Sequence, residues 1–354
     1  MKSVDLPRGR RKIAAMSSKV TMSDIAQALD VSAVTVSRAL AGKDGVGGAM
    51  REKILQKAAE LGYQVKQSGS GLLGGQTIGI LISCRFIGVD QSFYWNLYEQ
   101  VLESLGENEA FGIMEAVKEE DEARCELPRL VRTGRVQALM VVGHMHPSYL
   151  RMLTSTGLPA VQLDEYAAAA KLDTVISDGY YGMYTMTDYL FRRGHRKIAY
   201  VGQVGATSSI TDRYFGYCRA LRDRNIPVRE DWVIPDRADH DRLDVTLPEE
   251  LPTAFACNCD MIAYRLMQRL GERGVKVPED VSVVGFDGFA PTPSVPEVTT
   301  YAVDMAGMAR ASVAQLAERI ANPGRPPELR IVPGHLREAD SVNMLLSGNP
   351  ESLS

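Results

Sequence analysis

The sequence is short of the residues that would staple, metallate or anchor a fold. Its cysteines number five (Cys84, Cys125, Cys218, Cys257 and Cys259), and an odd set argues against a disulfide framework. Cys257 and Cys259 stand too close for a zinc knuckle, and no Cys/His pair follows at ligand spacing, so no metal is expected. Histidine is equally sparse: His144 and His146 are too few to hold a metal and fit a place at a cleft edge. Nowhere does an apolar run reach the ~18 residues of a membrane span. The basic cluster Arg8, Arg10, Arg11 and Lys12 is not followed by an apolar stretch. It therefore does not read as a secretory signal, and the chain is expected to stay in the cytoplasm. There is no Gly-x-Ser-x-Gly elbow and no phosphate loop, and the acidic residues do not converge by spacing. No catalytic set, no cofactor and no enzyme activity is expected.

What is present begins with charge. The chain has 354 residues, enough for two or three domains, and a net charge of −4. Residues 1–66 hold 12 Lys/Arg against 6 Asp/Glu, a net of +6, which leaves −10 on the remainder. A basic head on an acidic body points to a polyanion bound by the head alone.

Within that head, apolar residues recur at helical spacing in three blocks. Ile25, Ala26 and Leu29 mark the first; Val31, Val34, Val36 and Leu40 the second; Ile54, Leu55, Ala58 and Leu61 the third. A tight turn falls at Asp30-Val31, where Asp tolerates a left-handed backbone. Ser32 stands at a helix N-cap position, and Ser23 can cap the first helix in the same way. Two helices on a tight turn with a supporting third form a helix-turn-helix, whose second helix enters the major groove. On that helix Thr35, Ser37 and Arg38 are donors. Arg38 can grip guanine O6/N7 or hold a phosphate, and Ala33 and Val34 can touch a thymine methyl. Periodicity alone leaves a small helical bundle with a solvated Arg38 as the alternative.

From Thr77 onward short apolar runs alternate with helical stretches. Strands are expected at 78–82, 113–117, 138–142, 160–163, 174–176, 198–201, 254–257 and 281–286, with helices such as 95–105, 183–192, 214–224 and 261–273 between them. This alternation reads as α/β, two parallel sheets with helices on both faces. Four domain segments follow: a basic tail (1–19), a helix-turn-helix domain (20–66), a Gly/Ser-rich linker QSGSGLLGGQ (67–76) and a two-lobed body (77–354). In open α/β sheets ligands sit beyond the carboxyl ends of strands. Phe93 and Tyr94, after the first strand, offer faces for a sugar ring or planar base, or else serve as packed helix-start residues.

The stretch VTMSDIAQAL, the VSAVTVSRAL helix, Val46, Arg51 and ELGY at 60–63 together resemble the headpiece of the LacI/GalR (lactose-repressor) family of transcription regulators. RGHRKIAYVG (193–202), Arg213-x-x-Gly216-Tyr217, VPEDVSVVGFD (277–287) and Thr299-Thr300 extend the resemblance into the body. The chain departs from the family pattern at Asp30 (usually Gly), Gly47 (Ser), Met50 (Thr) and Cys259 (Asn). The resemblance implies a body like a periplasmic sugar-binding protein, with three crossovers expected near 164–174, 287–299 and Arg330. It extends the DNA-contact set to Thr21, Ser32 and Arg51. It also implies a hinge helix whose leucine, best matched by Leu72 and next by Leu73, wedges into the minor groove. Four glycines there each cost about 1 kcal/mol in a helix.

For the cleft, the resemblance implies ring stacking by Phe93 and Tyr94 and a ligand-binding role for Arg213. Asp164 and Asp287 match ligand-accepting acids, though each can instead cap a helix or hold a crossover. Cys259 replaces a hydrogen-bonding Asn with a weaker partner, and Asn258 can stand in. A cation near the start of a helix opposes the dipole, so Arg213 looks functional rather than structural. The implied partners are an operator in double-stranded DNA, a small-molecule effector of carbohydrate type and a second copy of the chain, with no membrane. The alternative is a cytosolic small-molecule-binding protein without operator specificity.

Overall fold

The computed structural model describes residues 21–40, 45–61, 72–87, 93–167, 170–237, 243–289 and 296–345. The basic tail and the linker through residue 71 lie outside them, as does Ser92. Two compact units divide the chain between residues 70 and 71.

The first unit is three helices: α1 (Met22–Leu29), α2 (Ala33–Leu40) and α3 (Gly48–Glu60). Ile25, Ala26, Val36, Ala39, Ile54 and Ala58 form its core, with Leu29, Val31, Leu40 and Val46 packed at its rim. The expected tight turn is there. Asp30 sits in the left-handed region at φ 51°, and its N–H donates to the Ala26 carbonyl. Ser32 is the cap of α2, its Oγ accepting from the Thr35 N–H at 3.1 Å. Two expectations fail. Ser23 lies inside α1; the residue at the cap is Thr21, whose N–H and hydroxyl donate to Asp24 Oδ2 at 2.7 and 2.8 Å. Leu55 and Leu61, expected in the third apolar block, face outward. Ile54 and Ala58, on one stripe of α3, already fill the small core, so the second apolar stripe has nothing to pack on.

The second unit opens with a first lobe of β1 (Thr77–Ser83), α4 (Phe93–Glu107), β2 (Phe111–Val117), α5 (Glu119–Ala123), α6 (Arg129–Arg132), β3 (Ala138–Val142), α7 (Pro147–Ser155), β4 (Ala160–Leu163) and β5 (Asp173–Ser177). The second lobe continues with α8 (Gly179–Arg192), β6 (Ile198–Val201), α9 (Ser208–Arg222), β7 (Val233–Ile234), β8 (Ala254–Cys257), α10 (Asp260–Glu272), β9 (Ser282–Asp287) and β10 (Thr299–Ala302). The chain returns to the first lobe for α11 (Met305–Ala321) and β11 (Leu329–Val332), then crosses back for β12 (His335–Arg337).

Each lobe holds a six-stranded sheet, in the orders β2-β1-β3-β4-β5-β11 and β7-β6-β8-β9-β10-β12. All pairings are parallel except β10 with β12. The central strands are buried along their length, as expected of parallel strands covered on both faces. In the first lobe α4 and α11 cover one face, α6 and α7 the other. In the second lobe α8 and α9 cover one face and α10 the other.

Two of the three crossovers fall later than expected. The 164–174 segment returns to the same sheet, because β5 pairs in parallel with β4 and β11. The Asp173 carboxylate, fully buried in β5, fixes this. It accepts from Arg319 Nε at 2.7 Å and from the Glu328 N–H at 2.9 Å, and Arg325 Nη2 lies 3.0 Å away. These partners belong to α11 and the approach to β11, so β5 is tied to the first lobe. The first two crossings therefore follow Ser177 and Ala302, not the 164–174 and 287–299 segments, while the third, after Val332, falls near Arg330 as expected.

Candidate functional site

On α2 the residues expected to face DNA share one outward surface. Ser32, Ala33, Val34, Ser37 and Arg38 are exposed and Thr35 is half-buried, while Val36 and Ala39 turn inward. Ser32 and Thr35 also join hydroxyls at 2.8 Å. Thr21 is occupied with Asp24, and Arg51 is half-buried on α3. Leu72 is 65% exposed in the turn that precedes β1, its N–H on Asn108 Oδ1 at 3.4 Å. Leu73 is not available as a wedge: it is 1% exposed, in the core beneath α4.

In the second unit all six expected ligand residues line one cleft of about 370 Å³ between the lobes: Phe93, Tyr94 and Asp164 from the first, Arg213, Cys259 and Asp287 from the second. They meet because each stands at or just beyond a strand's carboxyl end or on the helix that follows it. The hub is Arg213, buried in the second turn of α9. Its place there, not at the helix start, removes the dipole argument made from sequence. Its Nη2 lies 3.2 Å from Asp287 Oδ1, its Nη1 donates to the Asn258 carbonyl at 2.6 Å, and the guanidinium lies 3.9 Å over the Phe286 ring. Burial works against this charge, and Asp287 and Asp164 outweigh it.

The two acids are unusual in backbone and in titration. Asp164 and Asp287 have φ of 65° and 108°, conformations that L side chains rarely adopt and that cluster at functional sites. Burial pushes the Asp164 carboxyl up to about 7, against the pull of Arg213. Burial raises Asp287 to about 6, again against Arg213. Among the described residues that line the cleft, two buried polar atoms have no hydrogen-bond partner: Arg213 Nε, a donor, and Asp164 Oδ1, an acceptor. Tyr94 hydrogen-bonds Asp164, and its hydroxyl is pushed up by burial and by the Asp164 and Glu165 charges. Phe86 and Phe93 flank Tyr94 at ring distances of 4.9 and 5.5 Å.

Several lining residues escaped the sequence reading. Arg85 sits just after β1, with Nε on Ser83 Oγ at 3.1 Å and Nη2 on both Glu122 oxygens at 2.9 and 2.7 Å. Asp236, wholly buried, accepts from Arg237 Nε, the Gln203 N–H and Asn258 Nδ2, each at 2.9 Å. Asn258 thus spends its amide on Asp236 and the Val201 carbonyl and does not stand in for the Asn absent at 259. Cys259 occupies the cap position of α10 without a side-chain cap, its thiol pushed up by burial. The contacts that carry Arg85 and Asp236 into the cleft are remote in sequence, Glu122 lying 37 positions from Arg85 and Asn258 lying 22 from Asp236.

A second set of contacts crosses between the lobes beside the cleft. Both Glu165 oxygens accept from the Ser208 N–H at 3.1 Å, at the start of α9, and the Tyr166 hydroxyl donates to Asp212 Oδ1 at 3.0 Å. His144 Nδ1 lies 3.8 Å from Glu165. His146 instead caps α7, its Nδ1 accepting from the Ser148 N–H at 3.3 Å. Among the described residues no helix is long and apolar enough to cross a membrane.

Comparison with known proteins agrees with both units. Residues 21–65 match the family described as bacterial regulatory proteins, lacI family, and residues 187–342 match the periplasmic binding protein-like domain. The transcriptional repressor PurR of Vibrio campbellii is 28% identical over 284 residues, covering 75% of this chain and 81% of PurR. Among solved structures, the regulator CelR in complex with cellobiose aligns over 91% of this chain and 99% of its own, with TM-score 0.64 and 22% identity. The lac repressor dimer bound to operator and an anti-inducer aligns over 92% and 100%, with TM-score 0.62 and 19% identity. At such identities the two structures speak for the fold. With its helix-turn-helix head and periplasmic-binding-protein-like body, the chain belongs to the lacI family of DNA-binding transcriptional regulators.

Proposed function

We propose that this regulator binds a palindromic operator as a dimer and answers to a small polyhydroxylated effector held in the cleft. Residues 20–66 read the DNA, 67–76 join head to body, and 77–354 bind the effector and dimerise. One observation carries the effector reading: Arg213 Nε and Asp164 Oδ1, both buried and both without a partner, line one cavity. A hydroxyl accepts from the first and donates to the second, and an unmade buried hydrogen bond costs about 1–3 kcal/mol. The aromatic group of Phe86, Phe93 and Tyr94 supplies the apolar wall such ligands use. The cellobiose bound by CelR supports the same class of effector.

On α2, Arg38 reads a guanine or holds a phosphate, with Ser32, Thr35 and Ser37 as shorter donors. Arg51 and Thr21 add backbone contacts and Leu72 approaches the minor groove. Two half-sites need two heads, which is the reason for a dimer. The edge strand β2 and its surroundings, with Phe111, Ile113, Leu72 and Trp95 exposed, offer an apolar face for the second copy. The effector acts by population shift: it favours one lobe arrangement and thereby changes operator affinity only as far as it binds the two arrangements unequally. Gel shifts on the operator, with and without candidate carbohydrates, test this. Loss or gain of the shifted band with one sugar is the expected result. Carbohydrate binding without any operator complex would instead favour a small-molecule-binding protein lacking operator specificity.

A further inference from the structure

Resting on that reading of the cleft, we propose that the effector is a polyhydroxylated acid, its anionic group held between Arg85 of the first lobe and Arg265 of the second. Four guanidinium groups line the cavity. Three have a carboxylate at contact: Arg85 has Glu122, Arg213 has Asp287 and Arg237 has Asp236. Arg265 has none among the described residues. Its contact is the Leu243 carbonyl, reached by Nη1 at 3.4 Å, which leaves Nε and Nη2 uncommitted. Arg85 is held by Nε and Nη2, and its Nη1 is likewise uncommitted. Among the described residues the Arg265 charge thus has no carboxylate at contact, and the cavity presents unused N–H groups from both lobes.

A neutral sugar satisfies the hub but leaves those donors to water and gives the Arg265 charge no counter-charge. A carboxylate or phosphate answers both, since charge-assisted hydrogen bonds to guanidinium are about twice as strong as neutral ones. Because the two arginines come from different lobes, the anion also favours the closed arrangement and so binds the two arrangements unequally. Asp164 strengthens the case. With its carboxyl raised to about 7 it is partly neutral at physiological pH, so it repels an anion less than a full charge would.

The experiment is titration calorimetry of the full chain with matched pairs: glucose and glucuronate, galactose and galacturonate, sorbitol and gluconate, glucose and glucose 6-phosphate. The expected result is that in at least one pair the acid binds about tenfold or more tighter than its neutral partner. Arg265→Gln and Arg85→Gln each bring that ratio close to one. Arg222→Gln, on the exposed surface of α9 outside the cleft, leaves the ratio as it was. Arg265 is exposed, so its variant folds even if the loss of the Arg85–Glu122 pair damages the first lobe. Neutral members binding as tightly as the acids, or an acid preference that survives both variants, overturn the inference while the cleft reading stands. Absence of binding by every member overturns both.

Discussion

Replacing Arg213 by methionine keeps the aliphatic stem and deletes the charge. It removes the 3.2 Å pairing with Asp287, the 2.6 Å bond to the Asn258 carbonyl and the contact over Phe286. Removing one partner of a buried ion pair costs about 3–5 kcal/mol, because the other charge is left behind. Here the charges left behind are Asp287 and Asp164, and both can escape by taking up a proton. Their carboxyls, already raised to about 6 and about 7, lose the opposing pull of Arg213 and rise further in the variant. The sign follows from linkage. A carboxyl raised in the folded state binds more protons there than in the unfolded chain, so stability falls as pH rises through the folded value. Wild type therefore loses stability between about pH 4 and 7, and the variant loses more and over a higher range. The gap is smallest near pH 5 and widens toward pH 8, by up to about 1.4 kcal/mol per pH unit for each carboxyl that deprotonates in one protein and not the other. Urea unfolding at several pH values, followed by fluorescence of Trp232, buried in the same lobe, measures it. A gap that stays constant with pH, or no gap, would show that Arg213 is not the charge anchor of the two acids. Operator binding should survive the substitution while the effector response disappears.

Arg38→Ala should weaken specific operator binding by at least about 1–3 kcal/mol and flatten its steep decline with salt; anisotropy titrations at several salt concentrations with unchanged affinity would remove Arg38 from the interface. Ser32→Ala deletes the hydroxyl that caps α2 and should cost the head about 1 kcal/mol, seen as a lower melting midpoint of the head by amide-resolved NMR, and an unmoved midpoint would mean that the 3.1 Å contact carries no weight. Tyr166→Phe removes the bond to Asp212 across the lobes, shifts the body toward the open arrangement and should weaken effector binding several-fold by lowering the closed fraction; equal affinity in calorimetry would mean that this contact does not bias closure.

How much of this was legible before the structure depends on whether a residue's partner is close in sequence. The central strands are, because a strand buried on both faces must be a continuous apolar run. The eight runs read from sequence all correspond to strands. The strands that escaped, β7 and β10 to β12, are two residues long or carry polar residues whose partners are remote. In β10, Thr299 is buried only because Ser341 and Ala339 meet its N–H and hydroxyl some forty positions away. The first crossover was misplaced for the same reason: Asp173 belongs to the first lobe through Arg319 and Glu328. Spacing alone cannot distinguish a loop that returns to its own sheet from one that leaves it.

The cleft divides along the same line. Position at strand ends brought out Phe93 and Tyr94, and the family resemblance supplied Asp164, Arg213, Asp287 and Cys259, so the six gather in one cavity. What neither could supply is how these groups are balanced. Arg213 is held by a backbone carbonyl and one carboxylate, which leaves its Nε and the Asp164 Oδ1 unmatched. Arg85 is neutralised from another element, whereas Arg265 has no carboxylate at contact among the described residues. A cavity built to be complete without ligand would not leave buried donors and acceptors unmatched, since each costs about as much as a lost hydrogen bond. The body tolerates that deficit because other contacts join the lobes: three crossing segments, Glu165 on the start of α9 and Tyr166 on Asp212. The ligand therefore need not hold the lobes together. It has only to satisfy groups unmet without it, and in a protein poised between two arrangements that difference is the part of its binding energy available to move the equilibrium.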